Sequence, residues 1–438
     1  MIIDPARLAA FRALDEVTRK GAYANLAIKS ELPRLNSIDR AFCSSLFYGT
    51  LEKLVTLDFI LDKFIGSKPK PVVMNMLRLG LYQLFFMDSV ADYAACNSTV
   101  ELAKSLGKGN YAGFINGVLR ACSQEKWQDF IPDPADDELL HYSVMYSIPK
   151  WIVELWFDEL GSGQCAELLS HGRRQGFTVR PNSAKGFDRV KLAQWLDSLD
   201  IEYTKGKYIQ DAFIVKEAGS LLESREFVEG YITVQDEASM IVSKIAAQKG
   251  RVDILDACAA PGGKSACMYH FNPGAKLYSA DVHQHRVELM EKQLKRLNVP
   301  ATVFCWDAMQ QLPFDRNFDV VLVDAPCSGL GTLFEQPDIM LAKSRDDIDA
   351  LSELQEVILR NASSYVKPGG LLIYSTCTIS KAENRDVVNG FLTGNTGFVA
   401  KNAAPELWGD RYDGCGIQLL PHIDGTSGFY ISLMVRKA

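Results

Sequence analysis

The stretch Ile254–Ser265, ILDACAAPGGKS, reads as a short apolar run closed by an acidic residue, then a turn through Pro261 and the paired glycines Gly262 and Gly263. This is how a parallel strand hands over to a ligand loop. Glycines without a Cβ let backbone approach a ligand, and the helix that follows turns its N–H groups toward it. Three ligands compete for such a loop. A P-loop requires a glycine six residues before its lysine, and Cys258 stands there. A nicotinamide fingerprint requires spaced glycines, whereas Gly262 and Gly263 are adjacent. S-adenosylmethionine (SAM) carries no phosphate and needs only close backbone approach to its amino-acid part, which Cys258, Ala259, Ala260, Pro261, Gly262, Gly263 and Lys264 can provide.

Downstream, strands and helices alternate: KLYSADV, then a helix over Arg286–Leu297; ATVFCW; FDVVLVDA; a helix through Ile348–Val366; LLIYST; and a helix from Glu383. That alternation predicts a doubly wound, mostly parallel sheet of Rossmann-like α/β type. The tail, GIQLLPHIDGTSGFYISLMVRK, predicts a closing antiparallel pair. An acid ends each of three further strands, at the edge where open α/β sheets bind ligands. Asp281 is placed to grip ribose hydroxyls, Asp307 to meet an adenine amino group and Asp324 to lie beside the methionine part of SAM. Any one of these aspartates could merely cap a turn; their recurrence on one edge argues for a site.

Two cysteines end adjacent motifs, Cys327 in DAPCSGLGT and Cys377 in YSTCT. Carbon 5 of cytosine is too electron-poor to attack a methyl sulfonium, and adding a thiolate at carbon 6 turns the ring into an enamine that can. A free thiol near a pKa of ~8.5 is only partly ionised at neutral pH, so such a site must supply positive charge or hydrogen bonds. Asp324 is suited to hold a protonated ring nitrogen, and Cys327 to assist release. The remaining cysteines form no C-x-x-C pair. Cys43, Cys96, Cys122, Cys165 and Cys305 sit in apolar surroundings and read as small buried hydrophobes. No metal centre is expected.

Toward the N-terminus, residues 138–225 mix helix-like stretches with short β-like runs and predict a small α+β module. Its segment Thr178–Lys185, with Arg173 and Arg174 before it, is basic enough to suit phosphate contacts. A polar, proline-bearing linker (IPDPADD) precedes it. Residues 1–127 carry helical periodicity, with Leu8, Phe11, Leu14 and Val17 on one face and Phe42, Leu46, Leu54 and Leu57 on later ones. Asn116 and Arg120 interrupt an otherwise apolar helix. A catalytic domain over 226–438 completes a three-part chain.

At 438 residues, 47% apolar and 23% charged, the chain suits several folded domains. Its formal charge of −7 excludes a generally basic nucleic-acid coat. Acids and arginines break the first apolar residues at helical spacing, and no apolar run is long enough to span a membrane. A cytoplasmic, monomeric protein is expected.

DACAAPGGKS, DAPCSGLGT, STCT followed by Glu383-Asn384, and PHIDGTSGFY together resemble the RNA 5-methylcytosine methyltransferases. Asp39–Leu51, Leu77–Asp88 and Asn97–Arg120 resemble segments of the NusB-like RNA-binding helical fold. The whole chain is similar to the RsmB, or Sun/Fmu, family. The resemblance implies an all-α NusB-like N-terminal domain and methyl transfer from SAM to one cytosine of 16S rRNA. It implies Cys377 as nucleophile, Cys327 in product release, and Cys258–Lys264, Asp281, Asp307 and Asp324 as cofactor contacts. The same chemistry on tRNA, or an inactive RNA-binding assembly factor, are the alternatives. Phe334, Glu335 and Gln336 precede Pro337-Asp338-Ile339, and Met340 follows, where the family often carries basic residues. Thr378 stands where serine is common, and Lys381-Ala382 replaces a Pro-Glu.

Overall fold

The computed structural model describes residues 4–173, 176–216, 219–248 and 250–438. Packing divides them into two units: residues up to Gly172 with Leu333–Ser344, and Arg173–Thr332 with Arg345–Ala438.

The first unit is helical for reasons visible residue by residue. Helix Pro5–Lys20 starts with Asp4, whose carboxylate accepts from the Arg7 N–H, and with Pro5 in the first turn. It ends where Gly21 turns left-handed at φ 68°. Leu14, Phe11 and Val17 are buried, as their spacing predicts, among Leu46, Phe47, Leu57 and Leu77 of later helices. In helix Ala112–Cys122 the apolar Ile115, Val118, Leu119 and Cys122 face inward, leaving Arg120 exposed and Asn116 half-buried.

The helices Glu138–Tyr146, Lys150–Leu160 and Ser162–His171 belong to this unit and not to the α+β module expected over 138–225. Ser147, left-handed at φ 60°, ends the first of them, and its hydroxyl accepts from the Val55 N–H at 3.1 Å while Thr56 Oγ1 donates to the Val144 carbonyl at 2.6 Å. These bonds complete the start of helix Leu54–Phe64, a long-range partnership that local pattern does not signal. Segment Leu333–Ser344 joins the same unit: Phe334 packs on Trp156, and Asp338 accepts the Ala24 N–H at 3.1 Å at the start of helix Ala24–Glu31.

The second unit opens with a small antiparallel sheet in the order β2 (Tyr203–Lys205), β3 (Phe213–Val215), β1 (Phe177–Pro181) and β4 (Ile232–Val234). Two residues of the basic segment expected to touch phosphate are turned inward. Arg180 is buried and donates to Gln235 Oε1 at 2.7 Å, and Asn182 is buried with its amide on the Gly230 and Leu297 carbonyls, both at 2.8 Å. Through Gln235, Gly230 and Leu297 they tie the module to the following domain. Arg174 lies outside the described residues.

The larger sheet runs β10 (Phe398–Lys401), β12 (Phe429–Arg436), β9 (Val366–Thr376), β8 (Phe318–Asp324), β5 (Asp253–Asp256), β6 (Lys276–Asp281) and β7 (Ala301–Cys305), with β11 (Ile417–Leu419) paired to β12. Strands β5 to β9 are parallel and β12 is antiparallel to both its neighbours on the path. The β11–β12 hairpin is the expected closing pair; β10 is a strand the apolar pattern did not announce. Burial corrects one cysteine: Cys43, Cys96, Cys122 and Cys165 are buried, but Cys305 is exposed because β7 is an edge strand covered on one side only.

Candidate active site

The parallel order β7-β6-β5-β8-β9 places the C-terminal ends of five strands along one edge. Read along it, they carry Asp307, Asp281, the 256–265 loop, Asp324 and Cys377. Three strand spacings, roughly 14 Å, separate the first from the fourth. The sequence therefore distributes its polar strand ends in a line long enough for an extended ligand.

Gly262 sits at φ 96°, a conformation that L-residues rarely adopt, and a Cβ there would meet Met290 Cγ at 3.1 Å. Gly263 starts helix Gly263–Phe271 with ordinary φ and only Gln235 Nε2 within reach of an added Cβ, at 3.9 Å. Beneath the loop the buried Asp256 accepts Ser265 Oγ at 2.6 Å through Oδ2, while Oδ1 is buried without a hydrogen-bond partner. Burial pushes its carboxyl up to about 7. An open cradle above a buried, under-satisfied carboxyl fits the amino-acid end of SAM.

Asp281 accepts the His283 N–H at 3.0 Å and pairs with Arg286 at 3.2 Å; Arg286 also donates to the Ala260 carbonyl at 3.1 Å, tying the second strand end to the loop. Asp307 accepts the Met309 N–H at 2.9 Å. Both carboxylates keep acceptor capacity beyond these bonds.

Lys264 and Asp324 meet across the edge. Lys264 Nζ lies 2.6 Å from Asp324 Oδ2, and Ser375 Oγ, on the neighbouring strand, donates to Oδ1 at 2.8 Å. The Phe429 ring is 5.2 Å from the same ammonium. Burial disfavours the Lys264 charge, yet the adjacent carboxylate and their hydrogen bond outweigh it and hold the lysine above its ordinary pKa.

The thiols of Cys327 and Cys377 stand 3.4 Å apart, both half-buried. Their surroundings make them unequal acids. The hydrogen bond to Cys377, then burial, raises Cys327 well above the usual thiol range; the hydrogen bond from Cys327 lowers Cys377, with the Lys264 charge acting in the same direction against burial and Asp324. The pair is thus polarised, with Cys327 the better holder of a proton and Cys377 the more easily ionised thiol.

Two glycines brace this corner. Gly331 N–H donates to the Cys377 carbonyl at 3.0 Å, and Gly428 N–H donates to the Gly331 carbonyl at 2.8 Å. A Cβ on Gly331 would fall 2.0 Å from the Gly428 oxygen. On the other side Asn384 donates to the Thr378 carbonyl at 3.1 Å and bonds Thr376 Oγ1. The PHIDGTSGFY loop is itself anchored by the buried Asp424, which takes both guanidinium nitrogens of Arg411 at 2.7 and 2.8 Å and the Tyr208 hydroxyl at 2.7 Å.

Every residue singled out for the site lies on this edge. Those without an assigned role in the sequence are Ser375, Arg286, Ser328 and Glu383. Polar residues beside a recognisable motif were the available signal, but each also has a partner between 26 and 55 residues away.

The family described as 16S rRNA methyltransferase RsmB/F matches residues 243–435, and the NusB family matches residues 4–124. A Bacillus subtilis protein named probable ribosomal RNA small subunit methyltransferase B is 35% identical over 98% of both chains. The chain belongs to the RsmB/F family of rRNA methyltransferases. A Vibrio vulnificus ribosomal RNA small subunit methyltransferase B is 31% identical over 99% of each chain. Among solved structures, that of PH0851 superposes with a TM-score of 0.83 at 23% identity over 99% of both chains. NSun6 from Pyrococcus horikoshii, crystallised with SFG, gives 0.57 at 19% identity over 66% of this chain and 98% of that one. These two likenesses concern the fold alone, the first over nearly the whole chain and the second over two thirds of it; this chain carries a helical NusB domain ahead of a Rossmann-like methyltransferase domain. Among the described residues no helix is long and apolar enough to cross a membrane, and no cluster of His, Cys, Asp and Glu could hold a metal ion.

Proposed function

We propose that this RsmB/F-family, SAM-dependent methyltransferase methylates carbon 5 of one cytosine in 16S rRNA through a covalent Cys377 adduct. The observation that carries the reading is the 3.4 Å pair of unequal thiols beside the Lys264–Asp324 ion pair. Packing alone does not call for two half-buried thiols in contact with each other beside a largely buried ammonium.

The chain's own residues divide the work. Cys377, its ionisation favoured by the Cys327 donor and Lys264, adds as the thiolate to carbon 6 and forms the C6–S bond. The ring nitrogen N3 takes up a proton relayed from Lys264 through Asp324, so carbon 5 gains electron density. When bound, S-adenosylmethionine supplies an electrophilic methyl group, and the 256–264 loop, Asp281, Asp307 and Asp324 orient it. With the Cys377 sulfur bonded to carbon, the acceptor that held the Cys327 proton is gone, and Cys327 can lose that proton to solvent. It then takes the carbon 5 proton, the C5=C6 bond reforms, the C6–S bond breaks with its electron pair returning to Cys377, and N3 gives its proton back through Asp324 to Lys264. The exposed Arg120 face of the NusB-like domain is assigned to RNA.

The test uses methyl-labelled SAM with separate 16S rRNA and tRNA transcripts, followed by nucleoside analysis. Label in 5-methylcytidine from 16S rRNA, lost in Cys377→Ala, is the expected result. Label only from tRNA would select that substrate instead, and a wild-type rate in Cys377→Ala would remove the nucleophile assignment.

A further inference from the structure

Beside the residues that follow the two thiols lies a carboxylate that the chemistry above leaves unused. Glu383 is buried, and its oxygens accept from three groups: the Ser328 N–H at 2.7 Å and Gln355 Nε2 at 3.1 Å on Oε1, and Ser328 Oγ at 2.5 Å on Oε2, with Thr378 Oγ1 3.4 Å from Oε2. Ser328 is the residue after Cys327, and Thr378 is the residue after Cys377. With its own hydrogen on Glu383, Ser328 Oγ accepts the Thr378 hydroxyl at 2.7 Å, which links Thr378 to the carboxylate through Ser328. The Glu383 backbone is fixed by the Tyr374 hydroxyl, which donates to its carbonyl at 2.5 Å, and Gln355 reaches from helix Arg345–Ser363 to the Pro326 carbonyl at 2.9 Å.

One side chain therefore spans the β8 and β9 loops at the first residue beyond each thiol. A buried carboxylate is costly unless fully hydrogen-bonded, and this one is surrounded by donors; burial still pushes its pKa up. Such an arrangement makes the relative position of the loops stiff in a way two independent loops could not be.

We propose that Glu383 is a positioning residue that holds Cys327 in register with Cys377 for product release. The inference rests on the two-thiol reading of the reaction. Attack on carbon 6 needs only Cys377, whereas release needs a base at carbon 5 while Cys377 is still bonded to carbon 6. Loosening the staple therefore slows release more than attack, and the covalent adduct accumulates.

The experiment measures the fraction of full-length enzyme carried as a denaturation-stable protein–RNA adduct during turnover with SAM and 16S rRNA transcript, beside the single-turnover rate of methyl transfer. Glu383→Ala is expected to raise that fraction on the order of tenfold over wild type, as suits a reacting group displaced by a fraction of an ångström. Glu383→Gln, which keeps one acceptor and offers the hydroxyls a donor, is expected to restore the wild-type fraction. Ser328→Ala, a smaller change that removes one strut, is expected to give an intermediate rise and decides the matter if Glu383→Ala does not fold. Equal loss of transfer and release without adduct, or trapping by Glu383→Gln as strong as by Glu383→Ala, would overturn the positioning role. Cys327→Ala run alongside separates the two levels: if it traps adduct and the Glu383 and Ser328 variants do not, only the Glu383 inference falls; if it traps none, the two-thiol reading falls and takes the inference with it.

Discussion

Cys377 and Cys327 are the same residue type on adjacent strand ends, and their neighbours make them different. Lys264 is the cation beside Cys377, so Lys264→Met should raise the pKa of Cys377. Because that thiol is lowered in the native site, its thiolate persists to lower pH; removing the cation moves the acid limb of the kcat/KM profile to higher pH. The maximum rate should also fall by ~100-fold or more through the lost proton relay. Profiles at saturating SAM check this, and an unmoved acid limb would assign the low pKa to Cys327 alone. Asp256 gives a second pH effect with its own sign. Its folded pKa of about 7 lies above the unfolded value, so the folded state binds its proton more tightly and stability falls as pH rises between the two. Asp256→Asn should therefore flatten stability between about pH 4 and 7 and gain roughly 2–4 kcal/mol at pH 8. Urea unfolding of cofactor-free protein at both ends of that window measures it; an unchanged pH slope would mean the carboxyl is ionised when folded.

At the scale of elements, glycines of neighbouring loops serve different ends. Gly331→Ala drives a Cβ to 2.0 Å from the Gly428 oxygen, whereas Gly263→Ala meets only Gln235 Nε2 at 3.9 Å. The first should cost about 2 kcal/mol of stability or more, because backbone must shift to admit the methyl group. The second should change stability by about 0.5 kcal/mol or less while weakening SAM binding. Thermal unfolding and cofactor titration separate the two; equal destabilisation would show that Gly263 is a folding requirement. These elements differ in how legible they were. The parallel strands, the loop and the hairpin could be read because apolar runs, glycines and terminal acids are local patterns. Arg180 and Asn182 could not, since a basic stretch looks the same whether solvent or a neighbouring strand receives it. Nor could the packing of helices 138–171 with the first unit, which depends on Ser147 reaching the start of a helix more than ninety residues earlier. Motif positions marked the chemistry, while the partners that tune it came only with strand order.

Over the whole molecule, an acidic chain must find RNA through local features. Arg120, exposed on helix Ala112–Cys122, offers one phosphate contact with Asn116 a turn before it. Arg120→Glu should raise the KM for 16S rRNA several-fold and reduce the slope of log affinity against log salt by about one, leaving SAM affinity unchanged. An unchanged slope would place the RNA path elsewhere. The proposed function reduces to a single chemical statement, that Cys377 bonds carbon 6 of a cytosine. The most direct measurement is mass spectrometry of the adduct formed by Cys327→Ala with SAM and 16S rRNA transcript, after protease and nuclease digestion. The account predicts one cross-linked peptide, containing Cys377, joined to a methylated cytosine nucleotide. A cross-link on any other residue, or methylated product with no covalent species in this variant, would contradict it.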